Sequence, residues 1–345
     1  MELGTPSGFR ESVTRLPWAG IAQHRPGDLE GSPGTKFISQ LIDFAVPRRF
    51  TAILAPAHLL RATNDPWMAA DQRLVHELRE QLDRAGQQSV PIYYPLAITA
   101  SLFGNADSRQ HFKAVLSTLP VDAVWLRIHP FGSRSGPASL RRYVEACRDL
   151  HRLGLPLVAE RSGTIGVALL AFGAVGGIEG GVTLGEHFSA AGLLREPRKG
   201  SAFLPQARVY FPELATFLDR KRANRFLENR SMKSSFACRD TTCCRRGAQD
   251  MLANPRRHFL IRRLGEVRRV SETPDSARAQ QYMEEILRPA TDRIVRASKV
   301  EPSLEGNRRR LESWRHVLGA IIATGRPASF SAVPSGRRIA KKREA

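Results

Sequence analysis

Val121-Asp-Ala-Val-Trp-Leu-Arg-Ile128, an amphipathic stretch from Pro137 to Leu153, and Leu155-Pro-Leu-Val-Ala159 together decide how this chain is read. The first run is almost continuously apolar, as a strand covered on both faces must be. In the second, Leu140, Tyr143, Val144, Cys147 and Leu150 recur at helical spacing. The third is again a short buried strand. Strand, helix, strand in about forty residues is a parallel β-α-β unit.

The unit repeats on both sides. Phe50–Ala55 and Val90–Tyr94 read as strands, with helices over Asp71–Gly86 and Ser108–Leu119. Downstream, Gly166–Phe172 reads as a short helix and Gly177–Leu184 as a glycine-rich strand and loop. Arg208–Phe211 reads as a strand and Ala215–Glu228 as a helix. Six or more such units over about 200 residues fit a (β/α)₈ barrel of the TIM type; an open, doubly wound sheet is the alternative. The expected division is a flexible arm over residues 1–34, the barrel over 35–230, a zinc-binding basic subdomain over 231–270, C-terminal helices over 271–330 and a disordered basic tail over 331–345.

The 345 residues carry 53 Lys and Arg against 33 Asp and Glu, a formal charge of +20. Fifteen of these cations and only four acids lie between Arg220 and Arg269. Such a balance points to nucleic acid, a phosphorylated ligand or another anionic surface. Adjacent pairs Arg245–Arg246, Arg256–Arg257 and Arg262–Arg263 are candidate phosphate contacts, although neighbours on a helix diverge by about 100° and cannot all face one ligand. No leader or membrane segment is legible: the longest apolar run, Gly163–Ile178, holds five glycines and falls short of a span. A soluble cytoplasmic protein without membrane partners is expected. In a reducing compartment, clustered thiols hold metal rather than form disulfides. Cys238, Cys243, Cys244 and His258 supply three soft sulfurs and an imidazole, the donor set of a closed structural zinc site. Cys147, on an apolar helix face, reads as core.

Gly180-Gly-Val-Thr-Leu-Gly-Glu186 resembles the glycine-rich strand end of the guanine transglycosylases, enzymes that exchange guanine for a 7-deazaguanine base in tRNA or, in a related branch, in DNA. Ala57-His-Leu-Leu-Arg61 is similar to an early strand-end segment of that family, and a zinc site of three cysteines and one histidine follows the barrel in the same order. The resemblance covers about residues 36–298. It implies zinc as cofactor and guanine or 7-deazaguanine and tRNA or DNA as partners, and it allows a homodimer. It places Gly181 and Val182 at the base, with Gly180, Glu186 and His129 as further base-binding candidates.

The departures concern the chemistry. The family's aspartate motifs are missing: one strand reads Ile92-Tyr-Tyr-Pro-Leu-Ala-Ile-Thr with no carboxylate, another ends Arg127-Ile-His129, and Glu160 stands where a glutamine reads the base. Catalysis would then fall to displaced groups, with Glu160 and Asp240 as candidates and Glu179, Glu186 and Glu213 as further strand-end carboxylates. Glu160, Gly181 and Val182 are expected to line one cavity at the C-terminal mouth of the strands. The simpler reading of Glu160 is an ion pair with Arg161. A non-catalytic nucleic-acid-binding protein and a barrel enzyme for a small phosphorylated ligand are the alternatives.

Overall fold

Five parallel strands stand side by side in chain order in a curled sheet, half of a barrel: β1 (Ile53–Leu54), β2 (Ile92–Thr99), β3 (Ala123–His129), then Leu157–Glu160 and Gly177–Glu179. A parallel ladder runs in register from Tyr93 beside Ala123 to Thr99 beside His129, and from Val158 beside Gly177 to Glu160 beside Glu179. This computed structural model describes residues 25–182, 186–190, 207–324 and 329–334.

Alternation along the strands separates two faces. Tyr94, Leu96, Ile98, Val124, Leu126 and Ile128 are buried. On this side the helices Pro66–Arg84, Ala106–Thr118 and Pro137–Leu150 complete the core. Each helix starts where its sequence allows. Asp65 accepts the Trp67 amide at 3.1 Å, Asn105 the Ser108 amide at 2.8 Å, and Pro137 opens the third helix after Gly136. The Ala57–Arg61 segment is pinned to the first of them. Asp71, fully buried, accepts from the His58 amide at 3.0 Å and from Tyr94 Oη at 3.1 Å, and its other oxygen lies 2.6 Å from His58 Nδ1. The His58 ring stacks on Trp67 at 3.8 Å. The opposite, concave face carries Tyr93, Trp125, Arg127, His129, Glu160 and Glu179.

Among the described residues the sheet ends at Gly177–Glu179, so eight strands are not reached. His187–Phe188 instead pairs antiparallel with Phe131–Gly132. Val209–Phe211 folds back on Thr216–Leu218 as an antiparallel hairpin. The helix expected over Ala215–Glu228 therefore begins later. Ala215 takes a left-handed conformation (φ 45°), Thr-Phe-Leu continues as a strand, and Asp219 caps the helix Arg220–Glu228 by accepting the Arg222 amide at 2.9 Å.

Two segments expected to be loose are ordered where they are described. Within the expected arm, Pro26–Leu29 forms a 3-10 turn and Ser32 opens the helix Ser32–Ala45, whose Phe37, Ile38, Leu41 and Ile42 are buried; that helix packs on Pro66–Arg84. Ser331 donates its amide to Gly173 O at 2.9 Å, and its hydroxyl accepts the Leu157 amide at 2.8 Å. Gly173 and Gly176 make room for this. A Cβ on them would lie 2.3 Å from the Phe330 ring and 1.9 Å from the Ala332 carbonyl oxygen. The rest of both segments lies outside the described residues. The helices Arg288–Val300 and Glu305–Ala323 pair with each other, and Trp314 Nε1 donates to Ser135 O at 3.1 Å. No helix among the described residues is long and apolar enough to cross a membrane.

Candidate functional site

The cysteine loop is shaped by Asp240. Its carboxylate accepts the Thr242 amide at 2.9 Å, the Thr242 hydroxyl at 2.6 Å and the Cys243 amide at 3.2 Å, and its carbonyl accepts the Cys244 amide at 2.7 Å. These bonds hold its carboxyl below the usual range, the Thr242 hydroxyl foremost. Asp240, read from sequence as a catalytic candidate, is thus a turn-forming residue of the knuckle and lines neither cavity described below. Arg257 closes the loop from the other side, donating to the carbonyls of Thr242 (2.8 Å) and Cys243. Pro255 begins the helix Pro255–Glu272, whose first turn presents His258.

The ligand atoms of Cys238, Cys243, Cys244 and His258 all lie within 4.8 Å of one another, and all four residues are buried. Cys243 and Cys244 Sγ are 3.7 Å apart, and each is 3.4 Å from His258 Nδ1. A tetrahedral ion with sulfur bonds of about 2.3 Å needs sulfur atoms about 3.8 Å apart. His258 Nε2 lies 3.0 Å from the Tyr210 carbonyl and donates to it, which leaves the Nδ1 lone pair facing the sulfurs. Burial holds this imidazole neutral, its pKa pushed down to about 4. The four groups fit a metal ion. Cys147 is buried and free, as core.

On the concave face Glu160 is not paired chiefly with Arg161, whose Nε stands 3.9 Å away. Its partner is Arg127 on the neighbouring strand: Nε lies 3.0 Å from both carboxylate oxygens and Nη2 2.7 Å from Oε1. Both residues are buried. His129 accepts the Ala190 amide at 2.9 Å through Nδ1, which fixes the returning segment over the strand ends.

The glycine motif lines a cavity of about 410 Å³ between the strand Gly177–Glu179 and the helix Pro255–Glu272. Gly180, Gly181 and Glu186 belong to its wall with Glu179, Phe217, Phe259 and Arg263. Glu160, His129 and Val182 do not; of the two carboxylates in this wall, Glu186 pairs with Arg208 and the other is Glu179. It accepts the Arg161 amide at 3.2 Å, and burial pushes its pKa up, with Glu160 adding to the effect. Thr183, Leu184 and Gly185 lie outside the described residues. No protein-family model matches this chain, and no curated protein matches it.

The two arginine pairs on the helix Pro255–Glu272 separate as helical geometry requires, while Arg245 and Arg246 lie in the turn before Ala248. Arg246 is bound to Asp250 (2.8 Å), Arg257 to the cysteine loop and Arg262 to Glu213 (3.4 Å). Arg263 is turned inward, its guanidinium 4.9 Å from the Tyr210 ring centre and 3.3 Å from Glu266. Arg245 and Arg256 are exposed. Sequence reasoning passed over Arg127 and did not favour Glu179 among the strand-end carboxylates. Arg127 lies 33 residues from its partner, and only the register of the sheet reveals the pair.

Proposed function

We propose that this chain holds zinc in its Cys₃His cluster, and that it takes a guanine-type base of a tRNA or DNA into the cavity beside Gly180 and Gly181. The donor set favours zinc: three cysteine sulfurs and one imidazole, buried and close together, suit a closed structural site. The observation that carries the base reading is the composition of the cavity. Glycine backbone leaves room for a flat ring, Phe217 and Phe259 supply apolar surface, and of the two carboxylates in the wall Glu186 pairs with Arg208, which leaves Glu179 for the base. An ionised carboxylate accepts two parallel hydrogen bonds from the ring N–H and amino group of guanine, and adenine offers no such pair. The charge of +20 supplies a long-range attraction for the polymer. A base inside a duplex must leave the stack to enter such a cavity.

Recognition without base exchange is the form we favour. Exchange needs a carboxylate free to attack the sugar, and Glu160 is held bidentately by Arg127 while Glu186 pairs with Arg208. Incubation with labelled guanine and bulk tRNA or DNA separates the two forms: label entering the polymer establishes exchange.

Calorimetric titration tests the base reading. Guanine and 7-deazaguanine are expected to bind and adenine to bind at least about tenfold more weakly, since each charge-assisted hydrogen bond contributes about 1.5–3 kcal/mol. A Cβ at Gly180 would meet nothing within 4 Å, so Gly180→Val is expected to fold normally and to lose guanine binding. Unchanged binding in that variant would sink the assignment. The pH dependence has a definite sign. Protonation removes the acceptor, so guanine affinity falls with falling pH. The raised pKa of Glu179 places that fall above the ordinary glutamate value of about 4.3. Glu179→Gln is expected to bind weakly at every pH and to flatten the profile.

A further inference from the structure

A second cavity, of about 550 Å³, adjoins the first and shares Glu186 and Phe217 with it. Its lining is cationic: Arg134, Arg208, Arg222 and Arg310 stand around it against two carboxylates, Glu186 and Asp219. Those two acids are already engaged. Glu186 pairs with Arg208, and Asp219 lies 3.2 Å from Arg222. Arg134 and Arg310 remain without a carboxylate partner among the described residues.

The position of Arg310 is held by neutral contacts. Arg310 projects from the helix Glu305–Ala323. Its Nη2 donates to Asn307 Oδ1 at 2.7 Å, and Asn307 in turn donates to Thr216 Oγ1 at 2.5 Å. The guanidinium lies 5.4 Å from the Trp314 ring centre, so packing fixes its plane. Arg310 Nε and His187 Nδ1 are buried with no hydrogen-bond partner. Leaving such atoms unpaired costs stability. Burial, with Arg134 adding to it, lowers the Arg310 pKa even though Glu186 opposes the shift. Two unpaired cations converging on buried, unsatisfied polar atoms are stabilised by a bound anion with several acceptor oxygens.

We propose that this cavity is a phosphate subsite, which receives the phosphate carried by the nucleoside whose base enters the neighbouring cavity. The nucleoside half of the assignment rests on the function proposed above; the anion half rests on these side chains alone. The shared wall at Glu186 and Phe217 places base and phosphate sites side by side, as in one nucleotide unit. Arg134 and Arg310 would grip the phosphate oxygens, and His187 would contribute its unpaired ring nitrogen.

The test uses the full chain and five probes: inorganic phosphate, guanine, guanosine, and the 3′- and 5′-monophosphates of guanosine. Binding is measured calorimetrically at low salt for the wild type, Arg134→Ala and Arg310→Gln. Phosphate is expected to bind the wild type and to lose at least tenfold in affinity in both variants. One monophosphate is expected to bind at least tenfold more tightly than guanosine. Both variants should lose that advantage while guanine affinity stays unchanged. Arg134 is exposed, so Arg134→Ala keeps the test decisive if Arg310→Gln unfolds. If guanine fails to bind but phosphate binds and depends on Arg134, the base reading falls and the phosphate subsite stands. If phosphate does not bind, or both variants retain it with full affinity, the subsite is overturned whatever guanine does.

Discussion

Cys243→Ser and His258→Ala are expected to be purified with less than about a tenth of the zinc of the wild type, which should carry about one ion per chain, and with a sharply lowered melting temperature. Zinc contributes about 10–16 kcal/mol to the folding of small structural sites. Here the four ligand residues join separate parts of the chain. Cys238 follows the helix Arg230–Phe236, His258 lies on Pro255–Glu272, and its ring is bonded to Tyr210 in the hairpin. Three of them, Cys238, Cys243 and Cys244, belong to the same apolar core as the sheet. Removing a ligand therefore loosens the helix that walls the proposed base cavity as well as the knuckle. Metal analysis with a thermal melt, before and after chelation, checks this. Protein that is metal-free when purified without chelator, and that melts as the variants do, would remove the zinc assignment.

Arg127→Met is expected to destabilise the protein by about 3–5 kcal/mol, the usual consequence of leaving one member of a buried pair charged and alone. Glu160 has 7% of its surface exposed, too little for water to replace the three guanidinium contacts. Arg127→Met combined with Glu160→Gln should recover much of the loss, because the stranded charge is gone; the pair's value lies in fixing the concave face more than in net stability. Denaturant unfolding of both singles and the double gives the coupling. Single variants as stable as the wild type would mean that solvent reaches the pair. The same experiment bears on function, since guanine binding through Glu179 should survive Glu160→Gln.

The parallel strands were legible because burial on both faces leaves continuous apolar runs, as in Ala123–His129. The Cys₃His cluster that could hold a metal was legible because thiols and imidazole at short spacing have few other uses. Closure of the sheet was not, since a strand's partner leaves no mark on its own residues. The Arg127–Glu160 pair was hidden for the same reason. Thr216–Leu218 was absorbed into the following helix; the capping residue Asp219 was the overlooked signal. The docking of Ser329 to Pro334 depends on grooves at Gly173 and Gly176, far away in sequence, so composition alone suggested a loose tail. Helical phase decided which arginines face outward, and it turned Arg263 onto the Tyr210 ring.

The most direct measurement is a crystal structure of the protein soaked with guanine or 7-deazaguanine. The account predicts the ring against the backbone of Gly180 and Gly181, with its N–H edge on the Glu179 carboxylate. A base bound elsewhere, or a cavity left empty at saturating base, would contradict it.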